Sequence, residues 1–296
     1  MASQPFDCED MLMTQHRKLS GQVAVVTGST QGLGEAVARR LAGHGLTGLV
    51  LCGRNRDKGE ALARSLSTAQ CQVVFVTADL SRVADCRQII ATADEHFGRV
   101  DVLVNCAGNT ERGTLLDTDE AAFDRLFNVN TRAPFFLMQE AAKRMIRDAI
   151  EGRIVNILSM SGHGGQPFIS AYCGSKGALT TLTRNAAFSL MRNRIRVNGL
   201  NIGWMNTPGE DHIQTTCHDA PADWLSLAAA QQPMGRLLEP DEVAHGVEFL
   251  VTEASGMMTG AIIDFDQNVL GCYEQTPQPH AAMTLPALAS RGIPPD

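Results

Sequence analysis

The chain has 296 residues, of which 44% are hydrophobic and 19% charged, the proportions of an ordinary globular protein rather than a disordered or collagen-like one. With 25 Lys+Arg against 32 Asp+Glu the formal net charge is -7, so no global positive field collects nucleic acid or anionic lipid. No run approaches the roughly 18 apolar residues of a membrane helix, and Asp7, Glu9 and Asp10 stand where a signal peptide would be apolar, so the expected location is the cytoplasm.

Residues 1–20 are polar and irregular and read as an arm lying on the surface or on a neighbouring subunit. From Gly21 to about Asp266, short β-branched apolar runs alternate with longer segments of helical period, the pattern of a doubly wound parallel α/β sheet. Seven runs are expected as strands: Val23 to Thr27, Leu49 to Cys52, Val73 to Thr77, Val102 to Val104, Ile154 to Leu158, Ile195 to Leu200 and Ala261 to Phe265. Between them Phe135, Met138, Ala142 and Met145 repeat at helical spacing, as do Ala171, Ala178, Leu182, Ala186 and Leu190, so each stretch should bury one face against the sheet. Segment 207–232 mixes Pro208, Gly209, His212, His218 and Pro221 with a short amphipathic stretch around Trp224 to Ala229, and its position after a strand end marks it as a lid. No linker breaks the alternation, so 21–270 is expected to be one domain. The tail 271–296 carries five of the 12 prolines and little periodicity.

The first expected strand runs into Thr27-Gly28-Ser29-Thr30-Gln31-Gly32-Leu33-Gly34, followed by the helical Glu35 to Leu41. Glycines there permit a tight turn and let backbone N–H groups approach a pyrophosphate at the helix N-terminus, where the macrodipole favours anions. A glycine pattern alone is a weak signal; the strand before it and the helix after it turn it into a dinucleotide site. The second strand ends at Cys52-Gly53-Arg54-Asn55, where an NAD-binding chain would present a carboxylate to the adenosine ribose. None stands there. Gly53 leaves room and Arg54 can pair bidentately with a 2′-phosphate, so NADP is expected ahead of NAD; the plainer reading is that Arg54 is a solvated loop residue.

Further along come Asp79-Leu80 after the third strand, Asn105-Cys106-Ala107-Gly108 after the fourth, Asn130 within a helix, Ser159 after the fifth strand and Tyr172-Cys173-Gly174-Ser175-Lys176. In this order, and across residues 21–268, the chain resembles a short-chain dehydrogenase/reductase of the compact single-domain type. The resemblance implies a Rossmann-like fold, an NAD(P) cofactor and a small carbonyl or alcohol substrate. It implies that Asp79 and Leu80 meet the adenine, that Asn105, Ala107 and Gly108 floor the ribose region, and that Gly203 and Thr207 hold the nicotinamide side. Asn130 resembles the family's helix-kink asparagine, which holds a water against the lysine. Two departures stand out: Ile202-Gly203 where Pro-Gly is usual, and Gln267-Asn268 where Gly-Gly is usual. The first bears on how the nicotinamide carboxamide is held, the second on the end of the last strand and a subunit contact. The resemblance also implies a homotetramer, or a homodimer, pairing residues 133–150 and 171–191; sedimentation as a monomer would refute it.

The chemistry can be argued from the residues themselves. Tyr172 and Lys176 are four apart on an expected helix, so both project from one face. A phenol with a pKa of about 10 is a poor base at neutral pH. An ammonium at Lys176 and a positive nicotinamide ring would each favour phenolate, bringing Tyr172 toward general acid/base work. Ser159, thirteen residues earlier at a strand end, can hydrogen-bond the reacting oxygen as charge develops, with Ser161 a nearby decoy. A tyrosine is ordinarily a packing residue with a wetted hydroxyl, but this chain has only two, and one falls in register with both Ser159 and Lys176. His163, Gln166, Trp204 and Met205 flank the catalytic segments and are expected to line the substrate pocket.

Other conspicuous residues carry less. Arg192, Arg194 and Arg196 read as solvent-facing turn residues, and the eight histidines show no metal spacing. The eight cysteines, Cys8, Cys52, Cys71, Cys86, Cys106, Cys173, Cys217 and Cys272, contain no CxxC pair and read as reduced thiols. The expected activity is hydride transfer between NADP(H) and a ketone or secondary alcohol. The rivals are a nucleotide-binding regulator that has lost turnover, which the intact Ser159, Tyr172 and Lys176 oppose, and an epimerase or dehydratase, which the compact length opposes.

Overall fold

The computed structural model describes residues 18–274, 278–279 and 281–284; the expected N-terminal arm up to residue 17 and the end of the tail lie outside them. In chain order the elements are β1 (Val23–Val26), α1 (Gly32–Ala42), β2 (Gly48–Gly53), α2 (Arg56–Leu66), β3 (Gln72–Thr77), α3 (Val83–Phe97), β4 (Val102–Asn105), α4 (Glu120–Phe127) and α5 (Ala133–Arg147). They continue with β5 (Arg153–Ile157), α6 (Ser170–Leu190), β6 (Arg196–Ile202), α7 (Pro208–Cys217), α8 (Trp224–Ala230), α9 (Pro240–Val251) and β7 (Ile262–Phe265).

The strands form one sheet in the order β3-β2-β1-β4-β5-β6-β7, every pair parallel. The chain winds outward from β1 to β3, then returns to lay β4 on the other side of β1. This reversal opens a crevice at the carboxyl ends of β1 and β4, the place where open α/β sheets bind ligands.

Both faces are covered, which is why the strands are apolar at consecutive positions rather than alternate ones. Val23 and Val25 pack with Ile89, Ile90, Leu137 and Met145 of α3 and α5. The intervening Ala24 and Val26 pack on the opposite face with Val37, Leu41, Val243 and Val247 of α1 and α9. Each buried valine contributes about 1.5–3 kcal/mol, so a single polar residue within β1 would open the layer its side chain faces.

Every expected strand is present, and the largest departure is at β6, which runs on through Asn201 and Ile202. Polar Asn201 hides the extension in the sequence; in the fold it is 1% exposed and its Nδ2 donates to Asp264 Oδ1 of β7 at 2.8 Å. Leu19, placed by composition in the arm, is fully buried in the core, and its N–H donates to the His44 carbonyl at 2.9 Å. Phe135 departs from its helical set: Met138, Ala142 and Met145 are buried, whereas Phe135 is 41% exposed.

Segment 207–232 folds as two helices. Pro208 occupies the first turn of α7, where no intrahelical N–H is needed, and the Thr207 hydroxyl caps it by accepting from Glu210 N at 3.1 Å. Among the described residues, no helix is long and apolar enough to cross a membrane.

Candidate active site

A cleft of about 1710 Å³ opens at the carboxyl ends of the strands. One end is floored by the loop between β1 and α1. There Gly28 has φ +64°, and a Cβ on it would come within 2.8 Å of Ala107 Cα. A Cβ on Gly34 would sit 2.2 Å from the Gly28 carbonyl oxygen. Bare backbone is therefore obligatory where α1 begins. Thr27, 1% exposed, locks the neighbouring loop: its Oγ1 accepts from Cys106 N at 3.1 Å and Ala107 N at 3.2 Å.

Gly28, Gln31, Gly32, Leu33, Gly34, Arg54, Asn55, Asp79, Leu80, Ala107, Gly108, Gly203 and Thr207 all line the cleft as expected, and Thr30 joins them. Two expected cofactor contacts do not line it. Ser29 is fully buried and exchanges hydrogen bonds with Cys52, its Oγ accepting from Cys52 N at 3.0 Å and its N–H donating to the carbonyl at 3.1 Å. It pins the glycine loop to β2. Asn105 is 2% exposed, and its Nδ2 donates to Asn156 Oδ1 at 2.8 Å. Asn156 in turn donates to Thr183 Oγ1 at 2.9 Å, so the pair ties β4 and β5 to α6 beneath the floor.

At the far edge of this end, Arg54 is exposed and makes no ion pair among the described residues, while its charge reaches Asp79. The Asp79 carboxyl is held below its ordinary value first by the Ser81 backbone N–H, with Arg54 and Arg82 adding to that. Asn55 caps α2 by accepting from Lys58 N at 3.0 Å.

The centre of the cleft holds Ser159, Tyr172 and Lys176. Ser159 follows β5 by two residues, accepts from Ser161 N at 3.1 Å and is 7% exposed. Tyr172 and Lys176 lie one turn apart on α6 and are 8% and 4% exposed. Lys176 Nζ donates to the Ile157 carbonyl at 2.8 Å and stands 5.9 Å from the Tyr172 ring centroid. Burial pushes the Lys176 ammonium down to about 8. Burial also dominates at Tyr172 and raises the phenol above its ordinary value; the neighbouring Ser159 hydroxyl and the Arg112 charge pull it back down, while Glu210 opposes them. Burial therefore favours the neutral phenol, and Ser159 and Arg112 pull against it.

Asn130 sits in a π-helical turn, Asn128–Arg132, between α4 and α5. It is fully buried, and its side chain is committed to protein groups. Its Oδ1 accepts from Asn109 N at 2.7 Å, and its Nδ2 donates to Asn109 O at 2.8 Å and Ser175 Oγ at 3.0 Å. These bonds brace the loop after β4 against the helix carrying Tyr172. A Cβ on Gly108 would lie 3.6 Å from Asn130 Oδ1 and 3.7 Å from Lys176 Nζ, which places all three around one small space.

The opposite end of the cleft is lined by Met160, Gln166, Phe168, Ile169, Trp204 and Met205, together with α7 and the turn after it. His163, expected here, turns away: its Nε2 lies 3.1 Å from Asn201 Nδ2 and 3.5 Å from Asp264 Oδ1, at the ends of β6 and β7. Adjacency to Ser159 in sequence did not fix the direction of a side chain on a 3₁₀ turn. Arg112 and Phe168 line this end and belong to no motif, so nothing in the sequence marked them; Glu210, Gln214 and His218 were visible only as part of the expected lid. Burial raises the thiols of Cys106 and Cys173, so neither presents a reactive thiolate.

Comparison with known proteins agrees with this geometry. The short chain dehydrogenase family model matches residues 22–218. The chain is 34% identical over 246 residues to cis-4-hydroxycyclohexanecarboxylate dehydrogenase of Sinomonas cyclohexanicum, covering 83% of this chain and 95% of that protein. It is 32% identical over 246 residues to the NADP-dependent (R)-specific alcohol dehydrogenase of Lentilactobacillus kefiri, covering 82% and 94%. It is 33% identical over 278 residues to oxidoreductase UcpA of Salmonella typhimurium, covering 93% and 99%. The chain belongs to the short-chain dehydrogenase/reductase family of oxidoreductases. Members bind NAD(P) and act on small molecules, and the glycine cradle, where a side chain would fill the space needed by a pyrophosphate, fits that cofactor.

Proposed function

We propose that the protein interconverts a ketone and a secondary alcohol using NADP(H), with Tyr172 as the acid and base. The observation that carries this reading is the meeting of Ser159, Tyr172 and Lys176 at the centre of the same cleft that the glycine loop floors. When bound, the nicotinamide gives hydride in reduction and takes it in oxidation.

The side chains handle the proton and the charge on oxygen. In reduction the Tyr172 hydroxyl donates its proton to the carbonyl oxygen, and the Ser159 hydroxyl donates a hydrogen bond to the same atom as negative charge builds there. Lys176 is held by the Ile157 carbonyl, and among the described residues its other N–H bonds make no hydrogen bond, which leaves them for the ribose and for steadying the phenolate left behind. Asn130 acts as a positioning residue, fixing the loop after β4 to α6 so that Tyr172 and Gly108 keep their spacing. In oxidation the phenol must first lose its proton, and burial opposes that, so alcohol oxidation should rise with pH.

NADP is favoured over NAD by Gly53, exposed Arg54 and Asn55 at the end of β2, where no carboxylate stands to repel a 2′-phosphate. The Lentilactobacillus kefiri relative, NADP-dependent by name, supports the same choice. The test is a panel of ketones run with NADPH and NADH in parallel. Consumption of NADPH ahead of NADH supports the reading; cofactor binding without turnover of any ketone favours a regulator of the same fold.

A further inference from the structure

We propose that Arg112 anchors a carboxylate on the substrate, so that the preferred substrates are hydroxy acids and oxo acids rather than neutral alcohols and ketones; this rests on the carbonyl/alcohol reading above. Arg112 lies on the loop after β4, lines the substrate end of the cleft, and its side chain is only 20% exposed. A guanidinium has five N–H bonds, and this one presents them beside the cleft. Two are used within the protein: Nε–H donates to His218 Nε2 at 3.2 Å and Nη1 to the Thr110 carbonyl at 3.2 Å. The nearest carboxylate oxygen, Glu210 Oε1, is 3.5 Å from Nη2 and already accepts from Trp204 Nε1 at 2.8 Å and Gln214 Nε2 at 2.7 Å. Among the described residues, Arg112 is ion-paired with Glu210, and three of its N–H bonds make no hydrogen bond to protein where it borders the cleft.

Its surroundings hold that fork in place. The guanidinium carbon sits 5.8 Å from the centroid of the Phe168 ring, and Phe168 meets His218 edge-on at 6.2 Å. Arg112 and Glu210 line the same cleft as Tyr172, and the charges of both reach its phenol. Phe168, Ile169, Trp204 and Ile213 offer apolar walls for the carbon body of such a substrate. A carboxylate matches a guanidinium bidentately, with two parallel charge-assisted bonds, whereas a neutral amide or ester matches only one N–H at a time. On a chain of net charge -7 the overall field does not draw an anion, so the carboxylate would be held by the directed N–H bonds of Arg112, whose charge Glu210 partly offsets.

Two measurements test this. In the first, benzoate and benzamide, nearly equal in shape and different in charge, are titrated into the wild-type protein while the fluorescence of Trp204 and Trp224 is followed. Benzoate is expected to bind at least about tenfold tighter, and equal affinity overturns the proposal. In the second, kcat/KM is compared for an oxo acid and its methyl ester in the wild type and in Arg112→Met. The acid-over-ester ratio should exceed unity in the wild type and drop by about 10- to 100-fold in the variant. Because damage to folding or to α7 lowers both substrates together, a ratio unchanged by the substitution also overturns it. A wild type that prefers benzoate yet reduces no carbonyl sinks the carbonyl reading while leaving Arg112 as the anion anchor.

Discussion

At one end of the cleft the wall is backbone. Gly28 and Gly34 stand where any Cβ would strike Ala107 or the Gly28 carbonyl, and Thr27 fixes the adjoining loop through two main-chain N–H groups. At the other end the wall is side chains: Arg112 from the loop after β4, Trp204 from the loop after β6, and Glu210, Gln214 and His218 from α7 and its end hold one another. The first construction tolerates only one residue type at its tight points, whereas the second can be rebuilt with many. An end made for an invariant cofactor and an end free to change its substrate follow from that difference.

The comparison can be broken at its stiffest point first. Gly34→Val places side-chain atoms against the Gly28 carbonyl with no flexible neighbour to give way. The variant is expected to bind no NADPH detectable by calorimetry and to melt about 2–10 °C lower; wild-type binding would show that the cradle does not hold the cofactor. A smaller effect is expected at the exposed rim of the same end. Arg54→Asp should lower kcat/KM for NADPH by about 10- to 100-fold while raising it for NADH. Equal loss with both cofactors would mean that Arg54 does not read the 2′-phosphate.

The smallest effect is in stability at the centre. Burial lowers the Lys176 ammonium from the ordinary 10.5 to about 8. Below pH 8 the folded protein carries the full cost of a buried charge that the unfolded chain keeps in water. As pH climbs from about 8 to 10.5 the folded amine loses its proton while the unfolded one retains it, and the cost fades. Lys176→Met should therefore gain on the wild type in Tm at pH 7, by about 2–4 °C for each kcal/mol recovered, and that advantage should narrow toward pH 10. A gap constant with pH would show that Lys176 carries no depressed pKa.

The same contrast explains what could be read from the sequence. The strands were legible because both sheet faces are buried and each run is continuously apolar, as in Val23–Val26. Gly28, Gly34, Tyr172 and Lys176 were legible because backbone approach and helical spacing restrict the residue type and the interval. Ser29, Asn105 and His163 were misplaced for one reason: a position next to a site does not say which way a side chain points. The bonds that turn them aside come from Cys52, Asn156, Asn201 and Asp264, all distant in the chain. The start of α7 was hidden by Pro208-Gly209, which looks like a loop until Thr207 is seen capping it. Arg112 was silent because its meaning depends on four partners scattered from Thr110 to His218.

Everything in the reading converges on one oxygen atom, that of the buried phenol beside Ser159. The most direct measurement is kcat for Tyr172→Phe against the wild type on the best ketone of the panel, at saturating NADPH, with circular dichroism to verify the fold. Loss of the hydroxyl is expected to lower kcat by about 10²- to 10⁴-fold in a protein that remains folded. A phenylalanine variant that keeps its rate to within about threefold would contradict the assignment of the proton to Tyr172.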